Sequence, residues 1–295
     1  MKPQSIHIYL PYGDPEGIRS AWISQSTTQI VAFRKLQLSQ AKQNFEQELS
    51  KTGIYLLLGY DESSSPVVYI GQAEKLLDRL QLHLRGTDKD FWTDTIIMCN
   101  KDESLTASHA RYVEARLIAD AQKNVRWNLI NIQRASEMGK LPLPDRDSME
   151  IFIENAKTLV GALGCDLFKV IATDQVVQDK NKILPVTYFT YQGSGFDANL
   201  CVTSSQELVL QKGSKLRVAV NPSAPEGVVN LRNHLQNKGA LQEEGGYLVL
   251  TSDCPFKSAS AAAAMVSGAS MNGRLAWKTR EGQTFADWEK AQNLG

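Results

Sequence analysis

Apolar positions in the first third of the chain come in short runs broken by polar turns. Ile6-His7-Ile8-Tyr9-Leu10 reads as a strand, ended by Pro11-Tyr12-Gly13-Asp14-Pro15. Ile18 to Ile23 and Gln29 to Phe33 read as a strand pair. Leu36 to Leu49 reads as a polar helix that turns Leu36, Ala41, Phe45 and Leu49 toward a core. Two stronger strands follow, Ile54-Tyr55-Leu56-Leu57-Leu58 and Val67-Val68-Tyr69-Ile70. The turn sequence between them, Gly59-Tyr60-Asp61-Glu62-Ser63-Ser64-Ser65-Pro66, makes them a β-hairpin with one tyrosine from each strand. The next helix has an apolar stripe of Ala73, Leu76, Leu77, Leu80 and Leu84, with Arg79 and His83 along its edge. Leu105 to Gln122 is helical in period, with Ala110, Val113, Leu117, Ile118 and Ala121 on one stripe.

The pattern then breaks at Met138-Gly139-Lys140-Leu141-Pro142-Leu143-Pro144-Asp145. A helix from Asp147 to Leu163, closed by Gly164, reads as a connector spanning 146–175. Beyond Pro185 the chain turns β-rich, with strands at Val186 to Tyr191, Leu200 to Thr203 and Glu207 to Leu210. A helix from Glu226 to Lys238 leads into Gly245-Gly246-Tyr247-Leu248-Val249-Leu250. Ser258 is placed to cap a helix rich in alanine, and Asn272-Gly273 marks a tight turn into a strand with Leu275 and Trp277. The expected class is α/β (α+β). A small three-stranded antiparallel sheet flanked by helices occupies 51–135, after an N-terminal segment 1–50. A second α+β domain occupies 185–295.

Composition adds bounds. At 295 residues, 42% hydrophobic and 22% charged, the chain has material for about two globular domains. No run approaches the roughly 18 uncharged apolar residues of a membrane span, and the first residues lack a signal-peptide core, so a cytoplasmic protein with no membrane partner is expected. Cys99, Cys165, Cys201 and Cys254 are far apart, which argues against a zinc site or a disulfide framework. Formal net charge is zero, so nucleic-acid affinity must come from local arrangement and not from a general excess of Lys and Arg.

Glu114 is the strongest isolated clue. At about 100° per residue it falls inside the apolar stripe of its helix. A carboxylate facing a core is costly unless a cation or hydrogen bonds meet it. A buried ion pair with Arg79 or Arg111 is one solution. A metal ion is the other, and Mg²⁺ suits one carboxylate completed by waters and substrate phosphate.

Gly53-Ile54-Tyr55, Tyr69-Ile70-Gly71, then Arg79, His83 and Glu114, in that order, resemble the GIY-YIG nuclease family over residues 51 to 135. The resemblance implies a Mg²⁺- or Mn²⁺-dependent endonuclease acting on DNA through one metal. Glu114 would hold the ion, Arg79 the scissile phosphate, and Tyr55 would help deprotonate water, while Tyr69 orients it or bonds the phosphate. It also implies an asparagine after the glutamate helix, for which Asn131 is chosen over Asn124 and Asn128. His83 is carried over at a position where family members vary. Residues 200 to 290 are similar to a domain of unknown function that trails many such proteins. They also resemble a domain attached to restriction enzymes and adenine methylases, marked by Ser-x-Ser-Ala-Ala and then Asn-Gly and Trp. Here that reads Ser258-Ala259-Ser260-Ala261-Ala262, with Asn272-Gly273-Arg274 in place of the usual Asn-Gly-Trp. This implies target sensing in restriction or phage defence, with Ser258, Arg274 and Lys278 as DNA contacts. A non-cleaving DNA-binding or regulatory protein on the same scaffold is the alternative, and RNA is the less favoured substrate.

Overall fold

A computed structural model describes residues 3–61, 65–86, 89–132, 139–169, 186–203 and 206–293. The expected turn residues 62–64, the start of the break at Met138, and residues 170–175 of the expected connector lie outside the described residues. The chain divides into two compact units, Met1–Lys169 and Val170–Gly295.

In the first unit a seven-stranded sheet has the order β1-β2-β3-β6-β4-β5-β7. These strands are Ile6–Tyr9, Arg19–Ile23, Thr28–Arg34 and Trp92–Asn100 for β1, β2, β3 and β6, then Gly53–Tyr60, Pro66–Ala73 and Asn128–Leu129 for β4, β5 and β7. All neighbours are antiparallel except β5 and β7, which are parallel. The sheet is thus wider than the three strands expected. The reason lies in β3, whose Thr28 to Phe33 are all buried. A strand apolar on both faces needs a paired neighbour on each side and cover on each face, and β6 supplies the inner neighbour along its full length.

Alternation along the central strands divides two cores. Ile54, Leu56, Leu58, Val68, Ile70, Ile96 and Met98 pack with α4 (Ala107–Ala121) and α5 (Leu143–Ala162). On the opposite face Tyr55, Leu57, Tyr69 and Ile97 pack with α1 (Leu38–Asn44), α2 (Glu46–Leu49) and α3 (Leu76–Arg85). The long polar helix expected over 36–49 is divided. Phe45 leaves helical geometry at φ −134°, and Leu36 is 95% exposed in the short turn before α1, whereas Ala41, Phe45 and Leu49 are buried as expected. α5 begins four residues before Asp147, with Pro142 and Pro144 in its first turn, where a missing N–H costs nothing. It is not a connector: Met149, Phe152, Ile153, Ala156, Leu159 and Val160 belong to the core.

The second unit carries a seven-stranded sheet in which β9 (Phe196–Val202) pairs with β8 (Thr187–Gly193), β10 (Leu208–Leu210) and β11 (Lys215–Arg217). The hairpin of β12 (Leu241–Glu244) and β13 (Tyr247–Leu250) extends it past β11, and β14 (Cys254–Phe256) past β10. α6 (Glu226–Asn237), α7 (Ala259–Ser267), α8 (Gly273–Ala276) and α9 (Phe285–Asn293) complete it. α7 is almost wholly buried, and its alanines allow close approach. Arg232 on α6 is buried at the C-terminal end of α7 and donates to the carbonyls of Met265 and Val266 and to that of Arg217. These acceptors let a cation stay buried there, although burial pulls its pKa down to about 10.

Candidate active site

Tyr55 lies opposite Gly71 and Tyr69 opposite Leu57 in the β4–β5 register, so both rings stand on one face of the sheet. Their centroids are 6.1 Å apart, with planes inclined by 22°. The glycines of the two motif phrases have steric causes. A Cβ on Gly71 would meet Tyr55 Cε1 at 2.9 Å, with Oη and Cζ closer still. A Cβ on Gly53 would meet the Met98 carbonyl at 2.5 Å.

α3 presents the other two groups one turn apart. Leu76 and Leu80 sink into the core, and Arg79 Nε donates to Tyr55 Oη at 3.2 Å. His83 Nε2 lies 2.9 Å from the same hydroxyl, and its ring packs edge-on to Tyr69 at 5.6 Å. His83 is therefore buried, and Leu84, expected in the stripe, is exposed. An arginine Nε can only donate, so Oη accepts there and keeps its own proton for His83 or Tyr69. Tyr55 is fully buried, and burial pushes its phenol well above the usual tyrosine value, against the opposing pull of the Arg79 hydrogen bond. The hydrogen bond to Tyr55 in turn raises Arg79. The pair keeps a positive fork beside a neutral phenol at physiological pH.

Arg79 also faces a groove of about 1200 Å³. One wall is α3 with Lys75 and Asp78, and another is the end of α2 with Glu46, Gln47 and Ser50. The first fifty residues carry no motif, yet they build part of this groove. Helical phase alone gives no sign of it, because the wall is shared by elements far apart in sequence.

The structure brings Tyr55, Tyr69, Arg79 and His83 together. Glu114 is buried as its helical phase implies, but α4 packs on the other face of the sheet, with Ala110, Val113 and Leu117 in the opposite core. Asn131 is buried beside β5, where its amide accepts from Ile70 N at 3.3 Å and donates to Ile70 O at 2.5 Å. Both ends of that side chain serve the strand edge, continuing the pairing that β7 begins. Its amide clamps the Ile70 backbone. Among the described residues no three His, Cys, Asp or Glu side chains form a metal-sized group. None of the four cysteines is in a disulfide.

In the second unit, the serine-rich phrase is a clasp. Ser258 Oγ accepts from Ala261 N at 3.1 Å and caps α7. Ser260 Oγ accepts from Gly273 N at 3.1 Å, and the buried Trp277 donates Nε1–H to Ala259 O at 3.0 Å. Asn272-Gly273 does not turn into a strand as expected. It opens the single-turn helix α8, because Gly273 must lie against the α7 backbone, where a Cβ would come within 2.5 Å of Ser260 N. Of the expected DNA contacts, Arg274 is paired with Glu289 at 2.6 Å, and Lys278 exchanges backbone hydrogen bonds with Thr190 at the β8 edge. No helix among the described residues is long and apolar enough to cross a membrane.

Comparison with known families gives a match for the second unit. Residues 189–289 fit a domain of unknown function, DUF4357, which spans most of the second unit. No curated protein matches the chain. No solved structure matches it either.

Proposed function

We propose that the first unit hydrolyses phosphodiester bonds of DNA, as the GIY-YIG resemblance implies, and that the second unit selects the target. The observation that carries this reading is the convergence of Arg79 and His83 on the hydroxyl of Tyr55, with Tyr69 stacked beside it, at the wall of an open groove. The planar guanidinium of Arg79 suits a phosphate in which charge builds up. Tyr55 is a poor base alone, since burial holds its proton. A neutral His83 with Nε2 toward Oη can take that proton while Tyr55 accepts one from water, so base strength comes from the pair.

The resemblance makes Glu114 the ligand of a Mg²⁺ or Mn²⁺ ion, although its helix packs on the sheet face opposite Tyr55 and Tyr69, so the packing does not itself bring the carboxylate to Arg79. Glu114 is a single buried carboxylate, and these ions accept one protein carboxylate with water and phosphate oxygens. When bound, such an ion supplies charge neutralisation at phosphate. The buried state of Tyr55 favours a second reading, a DNA-binding protein that does not cut. A role in restriction of foreign DNA rests on the resemblance alone.

Plasmid, single-stranded DNA and RNA, each incubated with Mg²⁺ or with chelator, test the reading. We expect metal-dependent cutting of DNA, lost in Glu114→Gln with an unchanged melting curve. Arg79→Lys should reduce turnover by about 100-fold while changing DNA affinity far less, as for loss of one transition-state donor. DNA that is retarded in a gel but never cut would select the second reading.

A further inference from the structure

We propose that Lys89 is a positioning residue of this site, acting through Tyr69. Lys89 lies in the connection between α3 and β6, and no motif marks it. Its ammonium sits 4.2 Å from the centroid of the Tyr69 ring. The side chain is 7% exposed, which is rare for lysine and costly unless something faces the charge. The face of a phenol ring is such a group, and the attraction is strongest when water is excluded.

The backbone is fixed at the same place, since Trp92 N donates to Lys89 O at 3.1 Å. A second lysine, Lys35, lies over the ring of the buried Trp92 at 5.1 Å. The start of β6 is thus held by lysines laid on aromatic faces. Tyr69 is held on one side by the Lys89 ammonium and touches both members of the Tyr55–His83 pair, at 6.1 Å and 5.6 Å between centroids. Lys89 thereby fixes the ring against which that pair is set. The consequence for turnover rests on the phosphodiesterase reading; the hold on Tyr69 does not.

The test uses the full chain with ¹³C-labelled tyrosine rings, the Tyr69 signals being assigned by Tyr69→Phe. In Lys89→Met the Tyr69 signals should move more than those of any other tyrosine, and Lys89→Arg should restore them. With DNA and Mg²⁺, kcat should fall roughly tenfold in Lys89→Met, the worth of a desolvated cation–π contact. KM should hold nearly constant, and Lys89→Arg should recover most of kcat. Should Lys89→Met fail to fold, Lys89→Gln takes its place in both measurements. Unmoved Tyr69 signals, or moved signals with an unchanged kcat, overturn the proposal. If the wild type cuts nothing, the phosphodiesterase reading fails, and the ring signals still decide whether Lys89 holds Tyr69.

Discussion

Replacing Gly71 by alanine should unfold the first unit more easily, against the ordinary preference of strands. Alanine is favoured over glycine within a strand by roughly 0.5–1 kcal/mol, because glycine has more freedom to lose. Here the new methyl would stand on the Tyr55 ring, with Cε1 at 2.9 Å and two atoms closer. Ordinary carbon contacts lie near 3.5–4.0 Å, so the hydroxyl end must retreat by about 1 Å. Tyr55 is fully buried and has no free space to enter. Overpacking of this kind costs roughly 1–3 kcal/mol. Displacing Oη also weakens its bonds to Arg79 and His83, each worth roughly 0.5–1.5 kcal/mol. The net is a loss of about 3 kcal/mol, or roughly 10 °C in the melting of a unit of this size. Urea unfolding of Gly71→Ala, Tyr55→Ala and the double variant checks it through a double-mutant cycle. With the ring gone, the methyl has room, and Gly71→Ala should become neutral or mildly stabilising. An equal penalty in both backgrounds would show that the ring is not the cause. Stabilisation in the wild-type background would refute the argument outright.

Two further outcomes concern other parts of the chain. Arg116 holds the Glu150 carboxyl below its usual range through bonds at 2.8 and 3.1 Å. A carboxylate depressed by folding stabilises above its unfolded value, roughly pH 4.3, and loses that contribution as pH falls through the lower folded value. The Glu150→Gln penalty should therefore be about 1 kcal/mol at pH 7, given side chains 28% and 36% exposed. It should shrink toward zero in urea titrations near pH 3, and a penalty independent of pH would contradict the pairing. Gly273→Ala should disrupt the second unit, since its methyl meets rigid α7 backbone and not a movable side chain; loss of roughly 3 kcal/mol or more is expected. A near-native denaturation curve for that variant would mean that α7 and α8 are not clasped at this point.

The tyrosine hairpin, the arginine helix and the inward Glu114 were legible because each depends on local period: two for strands, 3.6 for helices. Gly71 and Gly53 were legible only as motif letters, and their cause needed the ring and the neighbouring carbonyl in space. The breadth of the sheet was not legible. Whether Thr28 to Phe33 forms an edge or an interior strand is decided by β6, some seventy positions away, and pattern alone cannot rank the partners. His83 read as lying at the edge of its helix's apolar stripe and proved buried, because a hydroxyl from another element satisfies it. Lys89 gave no signal: a lysine after a helix is ordinarily solvated, and its place over the ring of Tyr69 exists only once β5 and the α3–β6 connection have come together. Ser258 was read as a DNA contact, whereas its hydroxyl caps α7, and Ser260 beside it closes α7 on α8.

The position of β6 has a consequence for how the chain folds. β2–β3 and β4–β5 are local hairpins that can close as soon as they are made. β6, Trp92–Asn100, is made only after both hairpins, and it inserts between β3 and β4, pairing with both. Until it arrives, each hairpin keeps one long apolar edge unpaired. During synthesis the nascent chain thus carries two sticky borders for as long as it takes to add about thirty residues, roughly a few seconds. Two copies stalled at that stage could join edge to edge in place of β6. Substitutions that weaken β6 should therefore appear first as insoluble protein, before any loss of stability in the molecules that do fold.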